Sequence, residues 1–401
     1  MSNTRPNSRM VVGSICASLL VGTLGAHAAS LPPDPNNAAL LYYQALLLCP
    51  DPDDIPREVG AVFHAESGGD AGQYRDYVKD YQDVIQLVEA ASRISHCNWA
   101  IPYPQGLKVR AKLMPLTRSL ALVIGANVRV LASDGDYTEA FAQSLMLRRV
   151  AKHIADDPGT FDPVPVTVER TALFCVRLVL DVMPPDEKAL TTLREQLDAE
   201  PPVSELVPAR IKQDFEWLIH TIKGTGAATL SNLRQNLAEN ANDEAQKKEV
   251  MALKDDELLS LIRESYAAFL DSAFDVMGSQ MSYEQKYIRL ENMAEQYQER
   301  AKTNPEIILA VQIRAESVPG LYSIGITHVA LFNAVTAAIE IYLLKATNGQ
   351  LPEALPEGLP KDPFSGNDFE YKATKEGFVL RCRAKDIAWG GVRQYEFKVR
   401  E

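Results

Sequence analysis

LTRSLALVIGANVRVLASDGDYTEAFAQSLMLRRVAKHI, residues 116–154, reads as two helices joined by the polar turn Ser133-Asp134-Gly135-Asp136. In the first half Leu116, Leu120, Val123, Ile124 and Leu131 recur at the three-and-four spacing of one helical face. The second half repeats the pattern with Tyr137, Phe141, Leu145, Val150 and Ile154. Gly135 suits the left-handed residue that ends one helix, and Asp136 is placed to cap the next. Neither helix can bury its stripe alone, so this hairpin predicts a body of further helices packed over it.

The flanking sequence supplies them. Downstream, residues 163–182 form a strongly apolar helix ended by Pro184-Pro185. Asp186 then caps a helix through Leu197, and Pro201-Pro202 ends that one. Residues 203–223 read as helical with Phe215, Trp217 and Ile219, and Gly224 and Gly226 break the pattern. A long charged helical region spans 230–277, with so few apolar anchors between 239 and 254 that this part is expected to project from the core. A polar helix at 283–303 follows. Upstream, residues 74–94 form a helix burying Tyr77, Tyr81, Val84, Ile85 and Val88. Residues 38–49 form a short one with Leu40, Leu41, Ala45 and Leu48 turned inward. The aromatic, proline-bounded segment 98–104 is expected to pack on the hairpin's end.

Beyond residue 306 the character changes. Residues 321–344 are almost continuously apolar, but His328, Asn333 and Glu340 are costly in lipid, which makes this a core helix and not a membrane span. After Asn348-Gly349 the period switches to two: Phe369 and Tyr371, then Phe378 and Leu380, then Tyr395, Phe397 and Val399. The fold class is therefore mostly α, a repeat-like helical-hairpin body with a small C-terminal α+β module of about three antiparallel strands. The domains are 1–28, a signal peptide; 29–305, the helical body; and 306–401, a helix with a small sheet.

The leader reading rests on Arg5 and Arg9, the apolar run 10–24, and Ala26-His27-Ala28 as a cleavage site, with the cut after Ala28. That run is shorter than the about 20 residues that cross a bilayer. Export to the periplasm or cell envelope follows, with no stable membrane span after cleavage. The formal charge of −12 becomes more negative when Arg5 and Arg9 leave, which argues against nucleic-acid binding. Arg148-Arg149 with Lys152 is read as a solvated helix face. Of the cysteines at 49, 97, 175 and 382, none forms a C-x-x-C pair. Cys49–Cys97 is the conceivable disulfide, and Cys175 is read as a small core residue.

Several groups of residues could carry chemistry. Glu216 and His220 lie four apart on one helix face, the spacing of a shared metal or of a simple hydrogen-bonded pair. His153 with Asp156, Asp157 and Glu169 has the makings of a general acid/base group, but helix-end carboxylates beside a last-turn histidine explain the same residues. His96-Cys97 sits in a packing environment, and His64 with Glu66 has no third partner. Lys223-Gly224-Thr225-Gly226 places its glycines on the wrong side for a phosphate loop. Asp362-Pro363-Phe364-Ser365-Gly366 is a turn, with Phe364 inserted into the core. No residue is assigned as catalytic, cofactor-binding or metal-binding, and no cofactor is expected.

Two resemblances carry further expectations. Asn348-Gly349-Gln350-Leu351-Pro352, then Lys361-Asp362-Pro363-Phe364-Ser365-Gly366, Phe369-x-Tyr371 and Gly377-Phe378-x-Leu380 resemble the end of a type II secretion pseudopilin, over residues 324–380. That family's N-terminal helix with its processing site has no counterpart here, and its calcium loop is replaced by residues 385–391. Asp386 alone does not supply the roughly six to eight oxygens calcium takes. The resemblance implies the small fold, without filament assembly or metal. Asp134-Gly135-Asp136-Tyr137-x-x-Ala140 with Ala155-Asp156-Asp157-Pro158 is similar to uncharacterised exported helical proteins of planctomycete-type bacteria, which pair a helical body with a D-P-F-S-G tail. The expected function is an exported, non-enzymatic scaffold or protein-interaction role with an unidentified envelope protein partner. The alternatives are a cell-envelope hydrolase using His153 or His220 with nearby carboxylates, and an accessory protein of a secretion or pilus apparatus.

Overall fold

The hairpin is present. In the computed structural model, which describes residues 36–60, 71–100, 106–156, 164–206, 227–239, 243–301 and 318–400 with isolated positions between 211 and 241, the chain is mostly helical and ends in a small sheet. The helices are α1 (Ala39–Leu48), α2 (Ala71–Asp80), α3 (Gln82–Ser92), α4 (Gly106–Asp134), α5 (Tyr137–Ala155), α6 (Val164–Leu180), α7 (Glu187–Asp198), α8 (Ala227–Glu239), α9 (Glu244–Ala252), α10 (Asp255–Gly278), α11 (Tyr283–Ala301) and α12 (Val318–Asn348). Gly135 has φ +83°, Asp136 N–H donates to Leu131 O, and Gly135 N–H donates to Ala132 O. This is the paired carbonyl capping that a glycine just past a helix permits. The Asp136 side chain, expected as the next cap, makes no capping hydrogen bond.

The hairpin's stripe is buried as its spacing requires: Leu120, Val123, Ile124, Phe141, Leu145, Val150 and Ile154 all lie in the core. Helix α6 packs across α4 and α5, with Cys175 fully buried as a small apolar residue. Asp186 accepts N–H bonds from Lys188 and Ala189 at 2.9 and 3.1 Å, the expected cap of α7. Trp99 is buried at the hairpin's end, where its indole N–H donates to His153 O at 3.1 Å.

Three local expectations need correction. Helix α1 buries Leu41, Tyr42, Ala45 and Leu46, while Leu40 and Leu48 face outward. Its sequence ALLYYQALLL has one polar residue, Gln44 on the outward side, too little to phase the inner face from the sequence. Residues 74–94 are two helices meeting at Tyr81, whose φ of −118° interrupts the run. The region 230–277 is three separate helices and not one run, while the middle one has the few apolar anchors expected, with Val250 its one buried residue.

The strands β1 (Glu370–Ala373), β2 (Gly377–Arg381) and β3 (Gln394–Lys398) pair antiparallel in the order β1-β2-β3. Phe378 faces Phe397 and Leu380 faces Tyr395 across β2 and β3, with the two phenyl rings stacked at 5.1 Å. This apolar side rests on α12 through Tyr342. Gly377 is forced by that register, because a Cβ there would lie 2.0 Å from Phe397 O. The Asp362 turn is structural as expected: its carboxylate accepts from Phe364 N–H, the Ser365 hydroxyl and Arg383 N–H at 2.9, 2.7 and 2.8 Å, and Phe364 is buried.

The sheet, most of α12 and helices α1 to α7 share one apolar core. A second core gathers α8 to α11 with Val318 and Leu321 at the start of α12. Apolar and long enough to cross a membrane by composition, α4 and α12 have 67% and 61% of their most apolar windows buried inside the protein. The sequence division at residue 305 falls outside the described residues.

Candidate functional site

The deepest polar cluster sits where α5, α6, α7, α12 and the turn at Val203–Leu206 converge. Arg148 on α5 donates through Nε to Glu169 Oε1 on α6 at 2.8 Å, and both side chains are almost fully buried. Its other nitrogens reach Leu197 O and Glu200 O at 3.3 and 3.0 Å, capping the C-terminal end of α7. Its guanidinium also stacks over the Phe332 ring of α12. Glu169 Oε2 accepts Val203 N–H at 2.7 Å. His328, from the middle of α12, places Nε2 3.3 Å from the same oxygen, poorly aligned for a hydrogen bond, and Nδ1 2.9 Å from Ser204 Oγ. A neutral ring protonated on Nε2 serves both neighbours, with Ser204 donating to Nδ1.

Ser204, His328 and Glu169 are the residue types of an acyl-transfer relay, and their arrangement argues against that use. Burial holds His328 down to about 3, with Arg148 and Arg170 nearby acting in the same direction, so the ring is a poor base at neutral pH. Burial raises Glu169, the Arg148 partner counteracts that, and the carboxylate is committed to Arg148 and Val203. Ser204 is 6% exposed, which leaves its hydroxyl little room for a substrate. What the cluster does is neutralise one buried charge while tying five segments together.

This overturns two readings. The basic trio of α5 is not a solvated face: Arg148 is buried, Arg149 is half-buried, and only Lys152 is exposed, 3.8 Å from Asp156. Nor does Glu169 join His153. His153 Nδ1 lies 2.9 Å from the Tyr42 hydroxyl, and the two rings meet edge-on. Burial lowers the His153 pKa, and the Asp156 carboxylate pulls the other way. Asp157, His64, Glu66, His220 and residues 223–226 lie outside the described residues. Glu216 has Arg263 as its partner at 3.3 Å. His96 is exposed, its carbonyl accepting Ala38 N–H. Cys49 and Cys97 are not joined by a disulfide. Among the described residues no cluster of three or more His, Cys, Asp or Glu side chains is placed to hold a metal ion.

A second buried carboxylate, Asp386, lies in the C-terminal module. Asp386 is fully buried and accepts from Arg393 Nη2 at 2.6 Å and Nε at 3.0 Å, Thr327 at 3.0 Å, Tyr283 at 3.2 Å and Ser323 at 3.4 Å. It joins α11, α12 and the turn between β2 and β3, with Trp389 at the turn's tip 69% exposed over Arg393. The sequence signal was a lone Asp between Lys385 and the apolar tip Ile387-Ala388-Trp389. Its partners lie 7 to 103 positions away.

Compared with protein-family models, curated proteins and solved structures, the chain matches none.

Proposed function

We propose that this chain is an exported, non-enzymatic scaffold or protein-interaction protein of the cell envelope. The observation that supports this reading is the way its buried polar groups are spent. Arg148, Glu169, Ser204 and His328 close on one another and on backbone, and Asp386 on three hydroxyls and an arginine. Large apolar side chains meanwhile face outward: Leu40, Leu47 and Leu48 on α1, and Trp389 on the sheet turn. Exposed apolar side chains grouped on one element mark interaction surfaces. The export part of the reading rests on the sequence of residues 1–28.

The test is a crosslinking pull-down from the cell envelope with the chain as bait. A reproducible protein partner is the expected result, and a chain that stays alone and monomeric overturns the reading. A second reading, a role beside a secretion or pilus apparatus, is favoured by the exposed Trp389 on the C-terminal module. Deleting residues 321–401 would not test it, because α12 and the sheet help build the main core. Trp389→Ser leaves that core intact, and unchanged partner capture by this variant excludes the second reading.

A further inference from the structure

Helix α1 carries an outward apolar stripe whose occupant can be named by its chemistry. Leu40, Leu47 and Leu48 are 53%, 84% and 51% exposed, and with the exposed Gln44 they fall at i, i+4, i+7 and i+8 on one face. The opposite face is spoken for by Leu41, Tyr42, Ala45 and Leu46 in the core. The sequence spacing gives no reason for a second apolar face unless something covers it.

The rim of the stripe is acidic. Asp51, Asp53 and Asp54 follow directly in an exposed turn at the helix's C-terminal end, and the chain has no Lys or Arg between Arg9 and Arg57. Arg93, capping the helix packed beside α1, is tied to Glu89. Resting on the interaction-protein reading, we propose that this face docks a cationic amphipathic helix of a partner protein. Leucine-type side chains of the partner cover Leu40, Leu47 and Leu48, and its Lys or Arg residues meet the aspartates. A second copy of the chain would set the same aspartates against each other, and an anionic lipid surface would repel them.

The experiment uses the chain from residue 29, which keeps the whole compact unit 37–401. Two labelled helical peptides serve as probes, LKKLLKLLKKLLKL and its counterpart LEELLELLEELLEL, with binding read by fluorescence anisotropy. The lysine peptide is expected to bind saturably and the glutamate peptide not. The Leu47→Gln/Leu48→Gln variant weakens binding by about tenfold or more, from the apolar area lost. Asp53→Asn/Asp54→Asn weakens it severalfold at low salt and little at high salt. Because these side chains are exposed, both variants keep the parent's melting curve, which guards against misfolding as an explanation.

Equal affinity of parent and leucine variant, or equal binding of both peptides, overturns the proposal. So does a leucine-dependent dimer in sedimentation, which makes a second copy the occupant, or leucine-dependent pelleting with phosphatidylcholine vesicles, which makes it lipid. Envelope-partner capture that survives Leu47→Gln/Leu48→Gln sinks this docking face and leaves the interaction reading standing. The absence of any partner for the parent chain sinks that reading itself.

Discussion

Glu169 and Asp386 are both buried carboxylates that hold separate segments together, yet they are neutralised in different ways. At Glu169 the cation is as deeply buried as the anion, with Arg148 and Glu169 side chains 5% and 1% exposed. At Asp386 the cation Arg393 is 34% exposed, and three hydroxyls carry much of the remaining burden. A buried pair is strongly interdependent, because losing one member strands the other without water. A carboxylate shared among hydroxyls and a half-wet arginine is more tolerant. The helical joint is thus built to be all-or-none, and the sheet joint to be adjustable.

The sharpest way to break that comparison is Glu169→Gln. It leaves Arg148 buried without a counter-ion and is expected to cost about 3–5 kcal/mol in denaturant unfolding. The double change Arg148→Met/Glu169→Leu should recover most of this, and failure to recover would show that the hydrogen bonds to Val203, Leu197 and Glu200 matter more than the charges. Asp386→Asn should cost less, about 1–3 kcal/mol, since Arg393 can turn to solvent while the amide keeps part of the hydroxyl network. A loss as large as that of Glu169→Gln would erase the distinction.

Acid sharpens it further. Burial holds His328 far below the ordinary histidine value, at about 3, so the unfolded chain binds the proton that the folded chain refuses. Its contribution to stability is present above about pH 6.5 and is lost as pH falls toward 3. His328→Asn, which keeps an acceptor for Ser204, should flatten the fall in Tm between pH 7 and 4.5. Asp181 gives the opposite and smallest effect. Burial raises it to about 6 although it accepts Lys398 N–H at 2.8 Å. A raised carboxylate favours the folded state below about pH 4 and loses that benefit as pH rises through 6. Asp181→Asn should therefore gain about 3 °C in Tm at pH 8 relative to pH 4.

Local chemistry was legible in the sequence where it was also short-range. The Gly135 helix stop, the Asp186 cap, the Asp362 turn and the alternation of Phe378, Leu380, Tyr395 and Phe397 each depend on residues within a few positions. The hairpin was legible because its apolar residues recur at helical spacing on both sides of the Gly135 turn. Helix α1 was not, because nine apolar residues and a single Gln44 carry too weak a phase from which to read its inner face. The polar joints stayed hidden for a different reason. Glu169 lies 21 positions from Arg148, and His328 lies 124 from Ser204, so a basic cluster on α5 looked solvated until the partner appeared across the fold. Likewise Tyr42, read only as one residue of a short helix, turned out to hold His153 from 111 positions away.

Helix α12 enters both cores: Val318 and Leu321 belong to the smaller one, and the stretch from Ala330 onward to the larger. Its 31 residues make a rod of about 46 Å, so a tilt of about 5° pivoting at one end swings the other by about 4 Å. The helix therefore works as a strut with leverage. Because the same helix also packs on α6 and α7, a displacement of the α8–α11 bundle reaches Tyr342 and the sheet only by moving those helices with it.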